Sequence, residues 1–315
     1  FAGTDPLVYI VVLNWTGREA PLACLRSVEQ VWNERTKGIV VDNGSTDGTP
    51  DAVRTAFAAV EVLETGQNLG FTGGNNIGLR FALDRGADYV LLLNNDTVVD
   101  PRFLPEMLTI ATVSEEIGFV SPKIYFLDPP DLLWFAGARF STWTGHGRVI
   151  GYREPDRGQY DNVRTIDRPC GCAVLVSRRL CREAGLMDDR LFLYVDEVEW
   201  MLRARKYGFK ACFAPKAKVW HKVSASVGRE SHPDAFYYGV RNTLHALDTH
   251  APCETLILRY FRELSVTSVH LAALLLSSAP KVDGLRAIRQ GLADYRRGTF
   301  GKRGRGISGA HPSRP

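Results

Sequence analysis

Tyr89-Val-Leu-Leu-Leu-Asn-Asn-Asp-Thr97 is the stretch on which the fold turns. Tyr89–Leu93 is a continuous apolar run bounded by polar residues, the pattern of a strand buried on both faces. Upstream, Leu7–Leu13 is a second β-rich run, Gly38–Val41 a third, and Val62-Leu63 begins a short one. Between them, Pro21–Val31, Thr49–Val60 and Phe71–Asp84 read as helices. Strand alternating with helix over the first hundred residues predicts an α/β fold on a mostly parallel central sheet flanked by helices.

Downstream the pattern changes. From Ser121 to Asp167 the chain is rich in Gly, Pro, Trp and Arg, with short β-like pieces and no long helical period. Such a stretch suits irregular strands and loops that wall a pocket. Periodicity returns at Val174–Ser177 and Lys210–Ala214 as strands, and at Arg178–Ala184 and Asp196–Tyr207 as helices. After Tyr237 the chain reads as helical to about Tyr295, then ends in a Gly/Arg-rich tail expected to be disordered. The division this predicts is an α/β domain over residues 1–245 and a C-terminal helical extension with a basic tail over 246–315.

The 315 residues are 45% hydrophobic and 23% charged, the mix of a globular protein. Six cysteines lack the spacing of a disulfide scaffold, and Cys170-Gly171-Cys172 lack the second pair of a zinc site. Reduced thiols in a cytoplasmic enzyme are therefore expected. The net charge is +4, but Lys281–Arg305 alone holds eight Lys/Arg against Asp283 and Asp294. A basic end of this kind fits nucleic acid, an anionic membrane surface at the inner face of the cell, or solubility alone. It lacks the aromatic interleaving of a nucleic-acid site, so no nucleic-acid partner is expected. The run Leu7–Leu13 has no basic flank and does not read as a signal peptide. Val266–Ala279 is apolar but interrupted by Ser and His270, and falls short of the roughly 18–20 residues of a spanning helix. It reads as a packed or interfacial helix.

In a parallel α/β sheet, ligands bind beyond the carboxyl ends of the strands. Three strands end there in polar residues: Asn14-Trp15-Thr16, Asp42-Asn-Gly-Ser-Thr-Asp47 and Asn94-Asn-Asp-Thr97. One such ending would be an ordinary turn or cap; three on one edge point to a site. Trp15 offers a flat face for a base, and Asp42 can accept from a base imide or ribose hydroxyl. Asp96 is a hard oxygen ligand for Mg²⁺ or Mn²⁺, ions that bind through one or two carboxylates plus substrate phosphates. Asp47, ahead of a helix in Ser-Thr-Asp-Gly, reads as a cap and is left out. Asn68-Leu-Gly-Phe-Thr-Gly-Gly-Asn-Asn-Ile-Gly78 is glycine-dense, and the helix start after it can present N–H groups to anions. It has neither a P-loop ending nor dinucleotide spacing, and by itself reads as a tight loop.

These segments, taken in order, resemble family 2 glycosyltransferases, and especially the bacterial rhamnosyltransferase-like branch of cell-surface polysaccharide synthesis. The matching stretches are Val11-Val-Leu-Asn-Trp15, Val41-Asp-Asn-Gly-Ser-Thr-Asp-Gly-Thr49, Asn68–Asn76 and Leu91-Leu-Leu-Asn-Asn-Asp-Thr97. Gly171-Cys-Ala-Val-Leu175, Tyr194-Val-Asp-Glu-Val-Glu-Trp-Met-Leu-Arg203 and Val219-Trp-His-Lys-Val-Ser224 continue the set. Together they span about residues 7–245. The resemblance implies the GT-A fold, a divalent metal (Mg²⁺ or Mn²⁺), an inverting single displacement, and a nucleotide-sugar donor with a glycan or lipid-linked glycan acceptor.

Carried over, Asp96 stands as the last residue of the metal motif and Asn94 where many relatives have its first aspartate, so one formal charge is missing. His221 resembles the downstream histidine that completes the metal site. Asn14, Trp15, Asp42, Asn68, Asn75 and Asn95 fall to the donor nucleotide and sugar. Asp196-Glu197-Val198-Glu199 resembles the family's acidic motif, whose second acid is the catalytic base. That maps the base to Glu197, a glutamate where aspartate is commoner. Asp196 and Glu199 fall to acceptor binding, although Glu199 and Arg203, four apart, also suit a structural ion pair. The implied reaction is transfer of L-rhamnose from dTDP-L-rhamnose, with other nucleotide-sugar donors open. A subunit that binds sugar nucleotide without turnover is the alternative that Asn94 and Glu197 keep open. A nucleotidyltransferase is disfavoured, because no basic glycine-rich triphosphate loop lies near the amino end.

Overall fold

The computed structural model describes residues 5–222 and 232–304. Most of the Gly/Arg-rich tail and residues 223 and 224 of the last motif lie outside them. The expected order of elements is present. Strands β1 (Val8–Asn14), β2 (Thr36–Asp42), β3 (Val60–Glu64) and β4 (Tyr89–Asn94) are separated by helices α1 (Glu19–Val28), α2 (Thr49–Ala56) and α3 (Gly70–Asp84). All four strands run parallel, in the order β3-β2-β1-β4. Leu91, Leu92 and Leu93 are buried, and each such side chain stabilises the fold by about 1.5–3 kcal/mol.

Beyond β4 the sheet becomes mixed. The next elements are β5 (Thr97–Val99), α4 (Phe103–Ala111), β6 (Ile117–Phe126) and the short β7 (Leu133–Phe135). β8 (Ala138–Phe140) and β9 (Gly147–Val149) form a separate hairpin, followed by β10 (Arg164–Ile166) and β11 (Ala173–Ser177). Then come α5 (Arg178–Glu183), α6 (Asp196–Arg205) and β12 (Lys210–His221). β11 lies antiparallel between β4 and β6, while β12 runs parallel to β6. The parallel expectation therefore holds for the amino-terminal strands and gives way where regular crossover helices stop, since only parallel neighbours need them.

The carboxyl-terminal helices are α7 (Pro233–His250), α8 (Leu256–Leu276) and α9 (Lys281–Arg297). They share a second apolar core, built from Phe236, Tyr237, Val240, Leu244, Leu247, Val266, Ile288 and their neighbours, which also takes in Val198 and Leu202 of α6. A division at residue 245 would cut α7 near its end. That helix packs in this second core along its length, so the extension begins physically with α7. Among the described residues no helix is long and apolar enough to cross a membrane.

The glycine-dense segment is mostly helix, which corrects the tight-loop reading. Only Gly70 takes a positive φ, +79°. A Cβ at Gly74 would meet Leu13 of β1 at 2.4 Å, and one at Gly78 would meet Val11 at the same distance. These glycines let α3 lie close on the sheet. Nor is the start of α3 open to an anion: the Phe71 and Thr72 N–H groups both donate to the Phe192 carbonyl, at 2.6 and 3.4 Å.

Candidate active site

β1 pairs with β2 on one side and β4 on the other, and the connection from β3 to β4 crosses back over β1. The strand order reverses there, where α/β sheets bind ligands. A row of side chains crosses the strand ends at this point. Asn95 Nδ2 donates to Asn14 Oδ1 at 2.7 Å, and Asn14 Nδ2 donates to Asp42 Oδ1 at 3.3 Å. The N–H and hydroxyl of Ser45 donate to the other end, onto Asp42 at 2.9 and 2.6 Å. Asn14 is wholly buried and organises the row. Asp42, with three donors on a carboxylate that offers about four sites, keeps room for one more. Trp15, next along from β1, is half exposed and available for stacking.

Asn68 and Asn75, expected at the donor, spend amide groups on the start and the first turns of α3. Asn68 Oδ1 accepts from the Gly70 N–H at 2.8 Å and from Asn43 Nδ2 at 3.3 Å, and Asn75 Nδ2 donates to the Phe71 carbonyl at 2.9 Å. Asp47 accepts from Gly17 N–H and from the Thr49 hydroxyl and N–H. The Thr49 hydroxyl foremost holds its carboxyl below the ordinary value. It closes a turn before α2, whose N-cap is Gly48, so Asp47 is not itself the expected cap.

On the other side of β4, β5 pairs antiparallel with β12 so that Thr97 faces His221. This register brings His221 Nε2 to 3.1 Å from Asp96 Oδ1, with both side chains largely buried. The Trp134 ring meets the imidazole edge-on at 5.0 Å, and His221 Nδ1 is buried without a hydrogen-bond partner. Among the described residues no group of three or more His, Cys, Asp or Glu gathers as a metal cage. Asp96 and His221 are the side chains here that could hold a divalent ion, one as a hard oxygen ligand and the other through imidazole. Asn94 stands beside them on the strand end. Its backbone N–H donates to the Cys172 carbonyl at 2.8 Å, and its carbonyl accepts the Thr97 hydroxyl at 2.7 Å.

The acidic motif opens α6. The backbone ahead of it is strained: Phe192, Tyr194 and Val195 all have φ between 64° and 66°, left-handed values that a β-branched valine rarely adopts. Asp196 is buried and its Oδ2 has no hydrogen-bond partner. Burial, with the charge of Glu197 next, pushes its carboxyl well above the ordinary value. Glu197 is partly exposed, and its Oε1 accepts from Arg168 Nη1 at 2.6 Å. Glu199 lies buried between Arg203, which donates to both of its oxygens at 2.9 Å, and His250, whose Nε2 stands 2.7 Å away. Of the two roles expected for Glu199, the partners present are those of the structural one. The segment Arg168–Cys172 joins this helix to the metal side, since Arg168 holds Glu197 and Cys172 holds the end of β4. Four residues reach at most about 14 Å.

Residues 9–180, more than half of the chain, match the family described as Glycosyl transferase family 2. The chain belongs to that family. Among curated proteins it is similar to the N-acetylglucosaminyl-diphospho-decaprenol L-rhamnosyltransferase of Mycobacterium tuberculosis, 29% identical over 61% of this chain and 68% of that protein. It is also similar to the dTDP-rhamnosyl transferase RfbF of Shigella flexneri, 22% identical over 89% of this chain and 92% of the relative. The galactofuranosyltransferase GlfT1 of M. tuberculosis is 31% identical over 54% of this chain and 55% of its own length. Among solved structures, a mannosyltransferase from Pyrobaculum calidifontis in complex with GDP-Man and Mn²⁺ aligns with a TM-score of 0.57. It is 15% identical and covers 94% of this chain and 84% of its own. The fold is GT-A, and the chain is a glycosyltransferase of the rhamnosyltransferase branch.

Several residues that shape the site of this family 2 glycosyltransferase gave no signal in the sequence. Arg168 is one. Arg241 and Asn242 of α7, both wholly buried, are two more. Asn242 Nδ2 directs its two N–H bonds at the carbonyls of Leu191, Leu193 and Tyr194, 3.1, 2.9 and 2.9 Å away, one of them shared, and Arg241 adds a bond to Leu191 at 3.0 Å. These bonds clamp the strained backbone that presents Asp196 and Glu197. Asn76 fixes the preceding loop, exchanging bonds with the Met187 carbonyl and N–H at 2.8 and 3.1 Å. An arginine-asparagine pair in an amphipathic helix reads as surface, and only its burial reveals the clamp.

Proposed function

We propose that this glycosyltransferase moves L-rhamnose from dTDP-L-rhamnose onto a hydroxyl of a cell-surface glycan or its lipid-linked intermediate, by an inverting displacement. The observation that carries the reading is the Asp96–His221 pair beside the Asn95-Asn14-Asp42 row, at the point where the strand order reverses. Trp15 stacks the base, and the remaining acceptor site of Asp42 takes a donor from the base or ribose. Asp96 and His221, with Asn94 alongside, hold Mg²⁺ or Mn²⁺. That ion, when bound, neutralises the charge that grows on the leaving diphosphate.

Glu197 takes the proton of the acceptor hydroxyl as its oxygen attacks the anomeric carbon. Arg168 orients that carboxylate. Asp196, buried and lacking a partner on one oxygen, faces the acceptor as a hydrogen-bonding group. The enzyme works in the cytoplasm, at the inner face of the membrane that holds its acceptor. The galactofuranosyltransferase likeness favours a furanose donor as the second reading.

Purified protein incubated with a panel of nucleotide sugars, with Mg²⁺ or Mn²⁺ against EDTA, tests the proposal. Metal-dependent release of dTDP from dTDP-L-rhamnose supports it, and release from a furanose donor instead transfers it to the second reading. If calorimetry finds no metal-assisted binding of any nucleoside diphosphate, the metal-assisted mechanism falls.

A further inference from the structure

Helix α8 is inverted relative to an ordinary surface helix. Its charged residues Arg262 and Glu263 are buried: Arg262 faces Asp248 at 3.6 Å, and Glu263 accepts from Arg296 at 2.6 Å. Its apolar residues face outward instead. Ile257, Phe261 and Leu264, at helical spacing on one side, are each more than 60% exposed, and Leu276 at the far end is 91% exposed. Ten of the seventeen large exposed hydrophobic side chains of the described residues lie between Leu256 and Leu285, so the exposure is a patch and not scatter. Trp143, 74% exposed at the tip of the β8–β9 hairpin, extends it beside Leu258 and Phe261.

We propose that this face of α8, with Trp143 and the first turns of α9, lies in the interface of an anionic membrane. The charge around it selects that occupant. Arg259, Lys281, Arg286, Arg289, Arg296 and Arg297 are exposed on α8 and α9; with Arg262 they outnumber Glu254, Glu263, Asp283 and Asp294 seven to four, and Arg286, Arg296 and Arg297 pair with Asp283, Glu263 and Asp294. A second copy on a two-fold axis would set this basic border against itself. Anionic lipid headgroups complement it while the acyl boundary takes Ile257, Phe261 and Leu264. Among the described residues no helix is fit to span, and on this proposal α8 lies along the surface.

The face also connects to the acid helix. The Thr144 carbonyl at the hairpin tip accepts from Ser265 of α8 at 3.4 Å. At the hairpin base the Phe140 N–H donates to Asp167 at 3.0 Å, next to the Arg168 that holds Glu197. The membrane thus meets the protein on the Glu197 side. This deepens the reading of a lipid-linked acceptor and rests on it for its purpose, though not for its geometry.

The test is flotation of the full chain with vesicles of phosphatidylcholine, alone or mixed with phosphatidylglycerol. The protein is expected to float with the mixed vesicles only, and the triple variant Ile257→Ser/Phe261→Ser/Leu264→Ser to lose at least about tenfold in bound fraction. Trp143→Ser, on a loop that leaves the helix intact, is expected to weaken binding in the same direction. Absence of flotation by the unaltered chain overturns the proposal, as does flotation unchanged in these variants. Light scattering that shows a dimer, turned monomeric by the triple variant, overturns it in favour of a second copy. Donor hydrolysis in vesicle-free buffer reads the catalytic proposal separately: a triple variant that still hydrolyses donor but does not float leaves that proposal standing.

Discussion

His221 Nε2 stands 3.1 Å from Asp96 Oδ1, at the end of the β5–β12 pairing. The contact depends on strand register, because a slip of one residue would turn the imidazole to the other face of the sheet. On the proposed role, two protein ligands would leave the rest of a metal shell to the donor diphosphate, so affinity for the ion alone should be weak. His221→Ala is expected to lower turnover about 10- to 100-fold and to raise the Mn²⁺ concentration needed for half-maximal rate. An imidazole ligand also favours Mn²⁺ over Mg²⁺. Initial rates across titrations of both metals check this, and identical metal curves for the variant would remove His221 from the site.

Glu197→Gln keeps the shape of the side chain and a hydrogen-bond acceptor for Arg168 but removes the base. Transfer is expected to fall about 10²- to 10⁴-fold. Donor affinity by calorimetry should stay within about threefold, for a loss confined to the chemical step. A variant with unaltered transfer rates would exclude Glu197 as the base.

Asp196 and Glu199 have opposite pH signatures. Burial foremost raises the Asp196 carboxyl, so the folded state holds that proton more tightly than the unfolded state does. The stability it contributes is full at low pH and is lost as pH rises through the raised value. Asp196→Asn is therefore expected to raise the melting temperature at pH 7 and to flatten that loss, while reducing transfer. For Glu199, burial alone would push the carboxyl up, but bonds from His250 and Arg203 outweigh it and hold the group below its ordinary value. Its contribution is present above the unfolded value and is lost as pH falls through the lowered one. Thermal melts of the parent and of Asp196→Asn between pH 3 and 8 measure both effects.

Glu199→Ala leaves Arg203 and His250 without their shared buried partner. Removing one member of a buried pair costs about 3–5 kcal/mol, which denaturant unfolding will register. A loss below about 1 kcal/mol would mean that the ion pair is screened as a surface pair is.

Asn242→Ala withdraws the donor from three carbonyls of the strained segment ahead of α6. About 1–3 kcal/mol of stability is expected to go. Transfer should fall more than donor binding, because the clamp serves Glu197 and not the nucleotide. Equal losses in both would show that the clamp acts on the whole domain.

Much of this was legible because it is local. The leucine run before Asn94 marks a buried strand by composition, and the polar strand ends are adjacent in sequence to the strands that carry them. The acidic cluster marks the start of α6. Asn68–Gly78 drew two readings, a helix from Phe71 and a tight loop, because a glycine kept for close helix–sheet packing looks the same as one kept for a turn until the opposing side chain is known.

By itself, the sequence determined the α/β class and the amino-terminal strand and helix order, and it marked the polar strand ends that the structure brings into one row, since these follow from hydrophobic period and chain-local polarity. The tertiary structure alone decided that His221 meets Asp96, that Arg168 holds Glu197, and that Asn242 clamps the backbone ahead of α6. It also decided that the apolar face of α8 turns outward. Each of these depends on which distant segments pack together, and on which face of a helix or strand is left over once the core is filled.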